Sequence, residues 1–233
     1  MDFDTLTFTD VTRNFGRRRA LNNVSFTWRA GELVALIGPN GAGKSTLLSI
    51  AATLLKPSSG RVFYGTRGVA EAGPALRGRI GLLAHDLFIY PELSPAENLT
   101  FFARLYGLSN AAAVVEEALS RANLGARRDD PVGTFSRGMR QRLAIERALL
   151  HSPRLLLLDE PFTGLDDAAV VATRSRLRAA RDAGAIVLVT THDLEAIEPI
   201  ADRAVVLTSG RLTAIDAGAA GLRDSYRRLT SAS

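Results

Sequence analysis

The segment GPNGAGKST, residues 38–46, constrains the fold of this chain more than any other feature of its sequence. It matches the pattern G-x-x-x-x-G-K-[ST] and follows the continuous apolar run ELVALIG, which is typical of a strand buried on both faces. A helical pattern, TLLSIAATLL, comes next and ends before Pro57. A strand, a glycine-rich turn and a helix in this order predict an α/β domain that binds a polyphosphate at the helix N-terminus.

Each residue type in this phosphate loop suits an anionic ligand. Glycine lets the backbone turn its N–H groups toward the phosphates, and Lys44 is expected to reach the β- and γ-phosphates. The hydroxyl of Ser45 is expected to ligate Mg²⁺. Lysine is informative here, because Lys56 is the only other lysine and the remaining basic residues are arginines. The residues predicted to bind the phosphates are Gly38, Pro39, Asn40, Gly41, Ala42, Gly43, Lys44, Ser45 and Thr46.

Two later strand patterns end in polar residues that suit hydrolysis. RLLLLDEP ends in Asp159, which is expected to bind the metal directly or through water, and Glu160 follows it. Ligands bind at the carboxyl ends of strands in α/β sheets, so Glu160 can orient the attacking water or accept its proton. The run AIVLVTTH ends in His192, which can hydrogen-bond the γ-phosphate or the water. The candidate catalytic residues are therefore Lys44, Glu160 and His192.

The periodicity of the sequence changes twice along the chain. Alternating patterns in residues 1–30 predict antiparallel strands, and α/β alternation resumes after residue 152. Residues 86–152 contain three helical patterns. The first begins with a capping box of Ser94 and Glu97, with Pro95 at the first helical position. We therefore expect a single α/β domain, residues 1–85 and 153–233, interrupted by a helical subdomain in residues 86–152.

A second potential anion site lies in this helical insert. In FSRGMRQR, Ser136 and Gly138 precede the helical pattern LAIERALL, so the N–H groups of a helix N-terminus are available to an anion. One chain thus carries a complete phosphate loop and a detached donor loop, FSRGM. The simplest arrangement is a two-fold pair of chains in which each donor loop covers the nucleotide of the other.

The composition excludes several classes of protein. The sequence has no cysteine, which excludes disulfides and thiolate metal sites, and no apolar run reaches the roughly 18–20 residues of a membrane span. The acidic, alternating N-terminus is unlike a secretory signal, so we expect a soluble cytosolic protein. A net charge of +5 suits nucleotides, nucleic acid or an anionic membrane face. Nucleic acid is not expected, because no aromatic residues interleave with Arg137, Arg140 and Arg142.

These motifs together resemble the nucleotide-binding subunits of ABC transporters, and the resemblance extends over essentially the whole chain. FSRGM stands where that family usually reads Leu-Ser-Gly-Gly-Gln: Ser136 and Gly138 match, whereas Phe135, Arg137 and Met139 depart from the pattern. The departures keep the residues that donate to the γ-phosphate and remove the usual glutamine. TTHD is similar to the switch-histidine loop of the family, and GLD is similar to its D-loop.

The resemblance implies the P-loop NTPase fold of an ABC ATPase, with a RecA-like core, an N-terminal antiparallel β subdomain and an inserted α-helical subdomain. It implies ATP and Mg²⁺ as cofactors and Phe15 as the aromatic residue that stacks on adenine. It also implies that Ser136, Gly138 and Asp166 act across a homodimer. His85 stands where the family usually has a glutamine that contacts Mg²⁺ or the water, and it either acts at the metal or only shapes the loop that meets a membrane subunit.

The same resemblance implies a separate integral-membrane permease and a peripheral location on the cytoplasmic, inner face of the cell membrane. Together, the stretches HDLFIYPELSPAENLTFFARLYG and SRGMRQRLAIERALLHSPRLLLLDEP most resemble haem-exporter ATPases of cytochrome c biogenesis, and next multidrug or daunorubicin-type exporter ATPases. A soluble ABC ATPase of translation or DNA repair is the alternative from another class. The former usually has two such domains and the latter a long coiled-coil insert. A P-loop small-molecule kinase would lack the donor loop, and a non-hydrolysing regulatory module would lack Glu160 or His192.

Overall fold

The computed structural model describes residues 2–215 and 221–231. Its strands are β1 (Thr5–Phe15), β2 (Arg18–Arg29), β3 (Leu33–Ile37), β4 (Ser59–Tyr64), β5 (Arg67–Gly68), β6 (Ile80–Leu83), β7 (Leu155–Asp159), β8 (Ile186–Thr190), β9 (Arg203–Thr208) and β10 (Arg211–Ile215). Its α-helices are α1 (Lys44–Ala51), α2 (Val69–Ala72), α3 (Pro95–Leu105), α4 (Ala111–Arg121), α5 (Arg137–Leu149), α6 (Asp167–Asp182), α7 (Leu194–Ile197) and α8 (Gly221–Ser231). Short 3₁₀ helices span Pro74–Arg79, Gly125–Arg127 and Val132–Thr134.

Six strands form a sheet in the order β10-β9-β3-β8-β7-β6, parallel except for the hairpin of β9 and β10. All residues of β3 and β8 are buried, which explains their continuous apolar runs. In this register Leu36 pairs with Thr190, and Asp159 pairs with the same Thr190 from the other side. The loops that follow β3, β7 and β8 therefore meet at one edge of the sheet, where ligands bind in α/β folds.

A second sheet contains four antiparallel strands in the order β2-β1-β4-β5. Alternation along β1 and β2 places Phe8 and Trp28 in a buried cluster that also contains Leu47 of α1 and Leu157 of β7. The rings of Phe8 and Trp28 meet edge to face, with centroids 5.3 Å apart. The predicted antiparallel β subdomain and α/β core are thus confirmed, and their common cluster supports the helix that follows the phosphate loop.

Helices α3, α4 and α5 enclose a buried cluster of their own, which includes Leu99, Leu119 and Leu143. The predicted capping box opens α3. The Glu97 N–H donates to Ser94 Oγ at 3.2 Å, and the Ser94 N–H donates to Glu97 Oε2 at 2.8 Å. The helical character of this region is confirmed, and the subdomain boundaries at residues 86 and 152 stay a prediction.

The buried carboxylate of Glu146 connects these helices to the core. Glu146 lies on α5, and only 4% of its side chain is exposed. It accepts from Arg121 Nε of α4 at 3.0 Å and from Arg176 Nε of α6 at 2.8 Å. Hydrogen bonds between charged groups are stronger than neutral ones, so α4 and α6 are both held to one point of α5.

Two helices differ from the expectations of the sequence patterns. Helix α1 ends at Ala51, earlier than its apolar pattern predicts, because Thr53 adopts a left-handed conformation with φ 61° that stops the helix. The patterns do not predict α8, which is largely polar. Within residues 2–215 and 221–231, no helix combines the length and the apolar character that crossing a membrane requires.

His151, in the turn after α5, stacks on the ring of Tyr106 at the end of α3. The ring centroids are 3.7 Å apart and the ring planes are inclined by 13°. Burial lowers the pKa of His151 to about 4, and the nearby cations of Arg147 and Arg79 act in the same direction. The folded protein therefore holds this imidazole in its neutral form at pH 7.

We expect the free energy of unfolding to fall as the pH drops from about 6.5 to about 4. The unfolded chain protonates His151 near the ordinary imidazole pKa of about 6.5. The folded protein protonates it only near a pKa of about 4. Within this window the unfolded state binds more protons, and the loss amounts to about 3 kcal/mol at the acidic end. Urea denaturation at a series of pH values measures this loss.

His151→Phe is the matched variant, because it keeps an aromatic ring against Tyr106 and removes the titrating group. Over the same pH range, the unfolding free energy of this variant should fall by about 3 kcal/mol less than that of the wild type. The same pH dependence in both proteins would contradict a buried, neutral His151.

Candidate active site

The loop between β3 and α1 passes very close to neighbouring strands. Gly43 has φ 109°, and a Cβ added there would lie 2.4 Å from the carbonyl oxygen of Ala20 on β2. A Cβ added to Gly38 would lie 2.2 Å from the carbonyl oxygen of Leu207 on β9. Only glycine fits these two positions, so the shape of the loop depends on them.

Lys44 begins α1, and its ammonium folds back over the phosphate loop. Lys44 Nζ donates to the carbonyl oxygens of Gly38 at 2.7 Å and Pro39 at 3.2 Å, and the residue is only 9% exposed. These bonds hold the positive charge beside the N-terminus of α1, where the helix dipole is also positive. An ammonium and a helix N-terminus at one point suit the binding of a polyphosphate.

Asp159, the last residue of β7, is hydrogen-bonded through both carboxylate oxygens. Ser45 Oγ donates to Asp159 Oδ2 at 2.8 Å, and the Thr190 hydroxyl donates to Asp159 Oδ1. A hydroxyl and a carboxylate are the hard oxygen ligands that Mg²⁺ takes from a protein, beside phosphate oxygens and water. The donor set therefore fits a magnesium ion, which Ser45 and Asp159 would hold.

Glu160 and His192 meet at the ends of adjacent strands. His192 Nδ1 lies 2.8 Å from Glu160 Oε2, and the His192 backbone N–H donates to the same oxygen at 3.3 Å. The Glu160 N–H donates to the Thr190 carbonyl oxygen at 2.9 Å. Glu160 has φ 52°, a left-handed conformation that is uncommon outside glycine. The backbone therefore leaves the direction of β7 at the residue that carries this carboxylate.

A cavity of ≈ 330 Å³ brings most of the predicted nucleotide-binding residues together. Phe15 and His85 line it beside the phosphate loop and the acidic pair Asp159 and Glu160. The residues that line it are Phe15, Arg18, Ala20, Asn40, Gly41, Gly43, Lys44, Ser45, Thr46, His85, Asp159 and Glu160. An aromatic ring, a phosphate loop and a pair of carboxylates in one cavity suit a nucleotide with a bound metal ion.

The donor loop lies elsewhere. Ser136, Gly138 and Asp166 are not among the described residues that line the cavity. Ser136 caps α5 and Asp166 caps α6, each through a side-chain oxygen that accepts a backbone N–H. A Cβ added to Gly138 would lie 2.6 Å from the carbonyl oxygen of Gly164, so FSRGM packs against the GLD turn. This separation from the cavity is what action on the nucleotide of another chain requires.

Two side chains that the sequence patterns do not single out also shape the site. Arg18 Nη2 donates to the carbonyl oxygen of Gly41 at 2.8 Å, across the phosphate loop. Gln141, buried on α5, donates through Nε2 to the carbonyl oxygens of Glu160 at 3.3 Å and Pro161 at 3.1 Å. The run of three arginines that contains Arg18 is the one available signal for it, and no local signal marks Gln141.

The sequence matches the ABC transporter family model over residues 21–163, more than half of the chain. The matched region contains the phosphate loop, the donor loop and the Asp159–Glu160 pair. The chain belongs to the ABC transporter family. It is an ABC ATPase, and the antiparallel sheet, the largely parallel sheet and the helical insert described above are the fold of that family.

Several curated relatives of this ABC ATPase are named for export or for drug resistance. It is 38% identical over 206 residues to the Nod factor export ATP-binding protein I of Burkholderia lata, covering 88% of this chain and 68% of that protein. It is 32% identical over 208 residues to the linearmycin resistance ATP-binding protein LnrL of Bacillus subtilis, covering 88% and 67%. It is 36% identical over 211 residues to the daunorubicin resistance ATP-binding protein DrrA3 of Streptomyces coeruleorubidus, covering 90% and 67%. The ABC ATPase thus spans about two thirds of the length of these relatives.

Solved structures share the fold over nearly the whole chain. An ATP-binding subunit of an ABC transporter superposes with a TM-score of 0.88 at 32% identity, covering 97% of this chain and 99% of that one. A bacterial ABC transporter cassette solved as a dimer superposes with a TM-score of 0.81 at 27% identity, covering 89% and 96%. The same cassette is also solved as a dimer in a post-hydrolysis state bound to ADP and Pi.

Proposed function

We propose that this ABC ATPase hydrolyses ATP to power export through a separate integral-membrane permease at the cytoplasmic face of the cell membrane. The observation that carries the proposal is the single cavity in which the phosphate loop, the Ser45–Asp159 contact and Glu160 meet. The direction of transport is supported by the relatives named for Nod factor export and for drug resistance.

ATP is proposed to bind with its adenine on Phe15 and its phosphates on the loop of residues 38–46. Stacking of a base on an aromatic ring contributes roughly 1–3 kcal/mol. The loop N–H groups and Lys44 offset the charge of the phosphates. Ser45 and Asp159 would hold Mg²⁺. When bound, this ion would neutralise negative charge on the β- and γ-phosphates.

Glu160 is proposed to orient the attacking water and accept its proton, because its carboxylate lines the nucleotide cavity. His192 would hold that carboxylate through the Nδ1 contact at 2.8 Å and accept a hydrogen bond from the water at Nε2. His85 lines the same cavity, and this position favours a role near the metal over a role confined to the membrane-subunit loop.

Ser136, Gly138 and Asp166 are proposed to complete the active site of a second copy of the chain. Their separation from the cavity of their own chain supports this arrangement, as does the dimeric structure of a similar bacterial cassette. The N-terminus of α5 would offer N–H groups and a positive dipole end to the γ-phosphate of the partner's ATP. Two-fold symmetry then gives two such composite sites per dimer.

For the transported substrate, a multidrug or daunorubicin-type exporter is our first candidate. It is supported by relatives at 36% and 32% identity that are named for daunorubicin and linearmycin resistance. Haem export in cytochrome c biogenesis is the second candidate, and it rests only on the resemblance of residues 85–107 and 136–161 to haem-exporter ATPases. A soluble ABC ATPase of translation or DNA repair is less well supported, because the relatives described above are named for export or resistance.

Glu160→Gln keeps the shape of the side chain and removes the base. We expect ATP turnover to fall by about 10²–10⁴-fold, while ATP binding persists and an ATP-bound dimer accumulates. Steady-state hydrolysis and analytical sedimentation with Mg-ATP measure both effects. Turnover close to that of the wild type would remove Glu160 from the mechanism.

Mixing two inactive variants tests whether the donor loop serves the partner chain. Ser136→Arg should leave ATP binding to the monomer nearly unchanged and abolish turnover, and Lys44→Ala should be inactive through its own phosphate loop. In a mixed dimer, the intact phosphate loop of one chain faces the intact donor loop of the other. Mixing should therefore restore about one quarter of wild-type turnover, because about half of the dimers are mixed and each has one working site. No recovery on mixing, with loss of ATP binding in Ser136→Arg monomers, would place the donor loop in the site of its own chain.

Affinity purification of the chain from solubilised membranes tests the transport proposal. We expect a polytopic membrane protein to co-purify and the ATP turnover of the complex to rise with daunorubicin-type drugs. Stimulation by haem instead would favour the second candidate substrate. Glu160→Gln complexes serve as the control, because they should assemble without stimulated turnover. Recovery of ribosomes or DNA in place of a membrane protein would contradict the proposal.

A further inference from the structure

Helix α8 packs against the short helix that follows His192. Helix α7 has only four residues, Leu194–Ile197, which are too few to form a stable helix alone. Leu222, in the first turn of α8, is 2% exposed and belongs to the same buried cluster as Ile197 and Ile200. The position of α7 therefore depends on the elements around it.

Polar contacts between these helices include an exposed ion pair between Glu195 and Arg223, and a hydrogen bond from the α8 backbone to Glu198, the residue after α7. Glu198 Oε1 accepts from the backbone N–H of Leu222 at 2.6 Å. The carboxylate thus satisfies an N–H that has no partner within α8, and its charge is favourable at the positive end of the helix dipole. The approach is close, because a Cβ added to Gly221 would lie 2.8 Å from Glu198 Oε1.

Helix α6 holds α7 from another side. Arg174 donates to the carbonyl oxygens of Glu195 and Ala196, each at 2.7 Å. Arg178 donates to the carbonyl oxygen of Pro199 at 2.6 Å. All three acceptors are backbone atoms, so α6 fixes the path of the chain through α7.

We propose that Glu198 is a positioning residue for His192: by fastening α8 to α7, it fixes the loop that directs the imidazole to Glu160. The connection is short, because Asp193 caps α7 by accepting from the Ala196 N–H at 2.9 Å and His192 comes directly before it. The His192 side chain is 76% exposed, so its position follows that of the loop. This inference rests on the function proposed for Glu160 and His192.

Turnover of Glu198→Ala and Glu198→Gln tests the inference, with rates normalised to the concentration of nucleotide-binding sites. Glu198→Ala removes the acceptor, and we expect kcat to fall about five- to tenfold with KM for ATP within about twofold. Glu198→Gln keeps an amide oxygen that can accept from Leu222, so it should retain most of the wild-type kcat. A contact that serves stability alone would change the fraction of competent sites and leave the normalised kcat unchanged.

A second variant reaches the same contact from α8. Gly221→Ala would displace the Glu198 carboxylate without changing that residue, and it should lower kcat to a similar extent. Glu195→Gln is the matched control, because Glu195 forms an exposed ion pair with Arg223 at 3.0 Å. Exposed pairs contribute little, so this variant should turn over like the wild type.

His192→Ala, measured in parallel, separates two kinds of failure. Normal turnover in His192→Ala would overturn the proposed role of His192 and the positioning inference with it. Slow turnover in His192→Ala with wild-type kcat in both Glu198→Ala and Gly221→Ala would overturn the inference alone. Equal loss of kcat in Glu198→Gln and Glu198→Ala would also overturn it, because the amide oxygen keeps the contact.

Discussion

The hydrogen bond from Ser45 to Asp159 joins segments 114 residues apart, and the arrangement of the site depends on it. It forms because β3 and β7 both pair with β8 in parallel, which brings their carboxyl ends to one edge of the sheet. Thr190, at the end of β8, bonds the other oxygen of Asp159 and accepts the Glu160 N–H through its carbonyl. A shift of one residue in either pairing would turn these groups to the opposite face of the sheet.

Helix α5 connects two parts of the chain: the residues beside its own nucleotide cavity and the donor loop that is proposed to act on the partner. Its N-terminus carries FSRGM, its buried Gln141 holds the backbone at Glu160, and Glu146 binds helices of both the insert and the core. Gly138 also packs against the GLD turn that leads from β7 to α6. A displacement of α5 would therefore move the donor loop and the strand end with the proposed base together.

The two residues proposed to act on the water, Glu160 and His192, contribute little to the stability of the fold. Glu160 has a positive φ, and His192 is exposed with few contacts of its own. Such conformations cost of order 1–3 kcal/mol and persist where the surrounding structure holds them. Here the surroundings include the Thr190 carbonyl, Gln141 and, in our inference, the contact of Glu198 with α8.

Local sequence determined the elements and much of the chemistry. The phosphate loop is contiguous with its strand and helix, so its motif implies its geometry. The capping box at Ser94 and the strand that ends in Asp159 are likewise contiguous, and alternation and apolar runs distinguished the two sheets. The early end of α1 escaped the patterns, because they carry no sign of the left-handed conformation of Thr53. Helix α8 also escaped them, because most of its residues are polar.

Only the tertiary structure decided which distant side chains reach the site. The Arg18 contact with the phosphate loop, the Gln141 contact with the backbone at Glu160, and the Glu198 contact with α8 follow no sequence period. Phe15 and His85 were expected near the nucleotide through a family resemblance, and both line the cavity beside the phosphate loop. The separation of Ser136 from that cavity is also a property of packing. The physical reason is that periodicity encodes which face of an element is buried, whereas the partner of a polar side chain depends on how separate elements pack together.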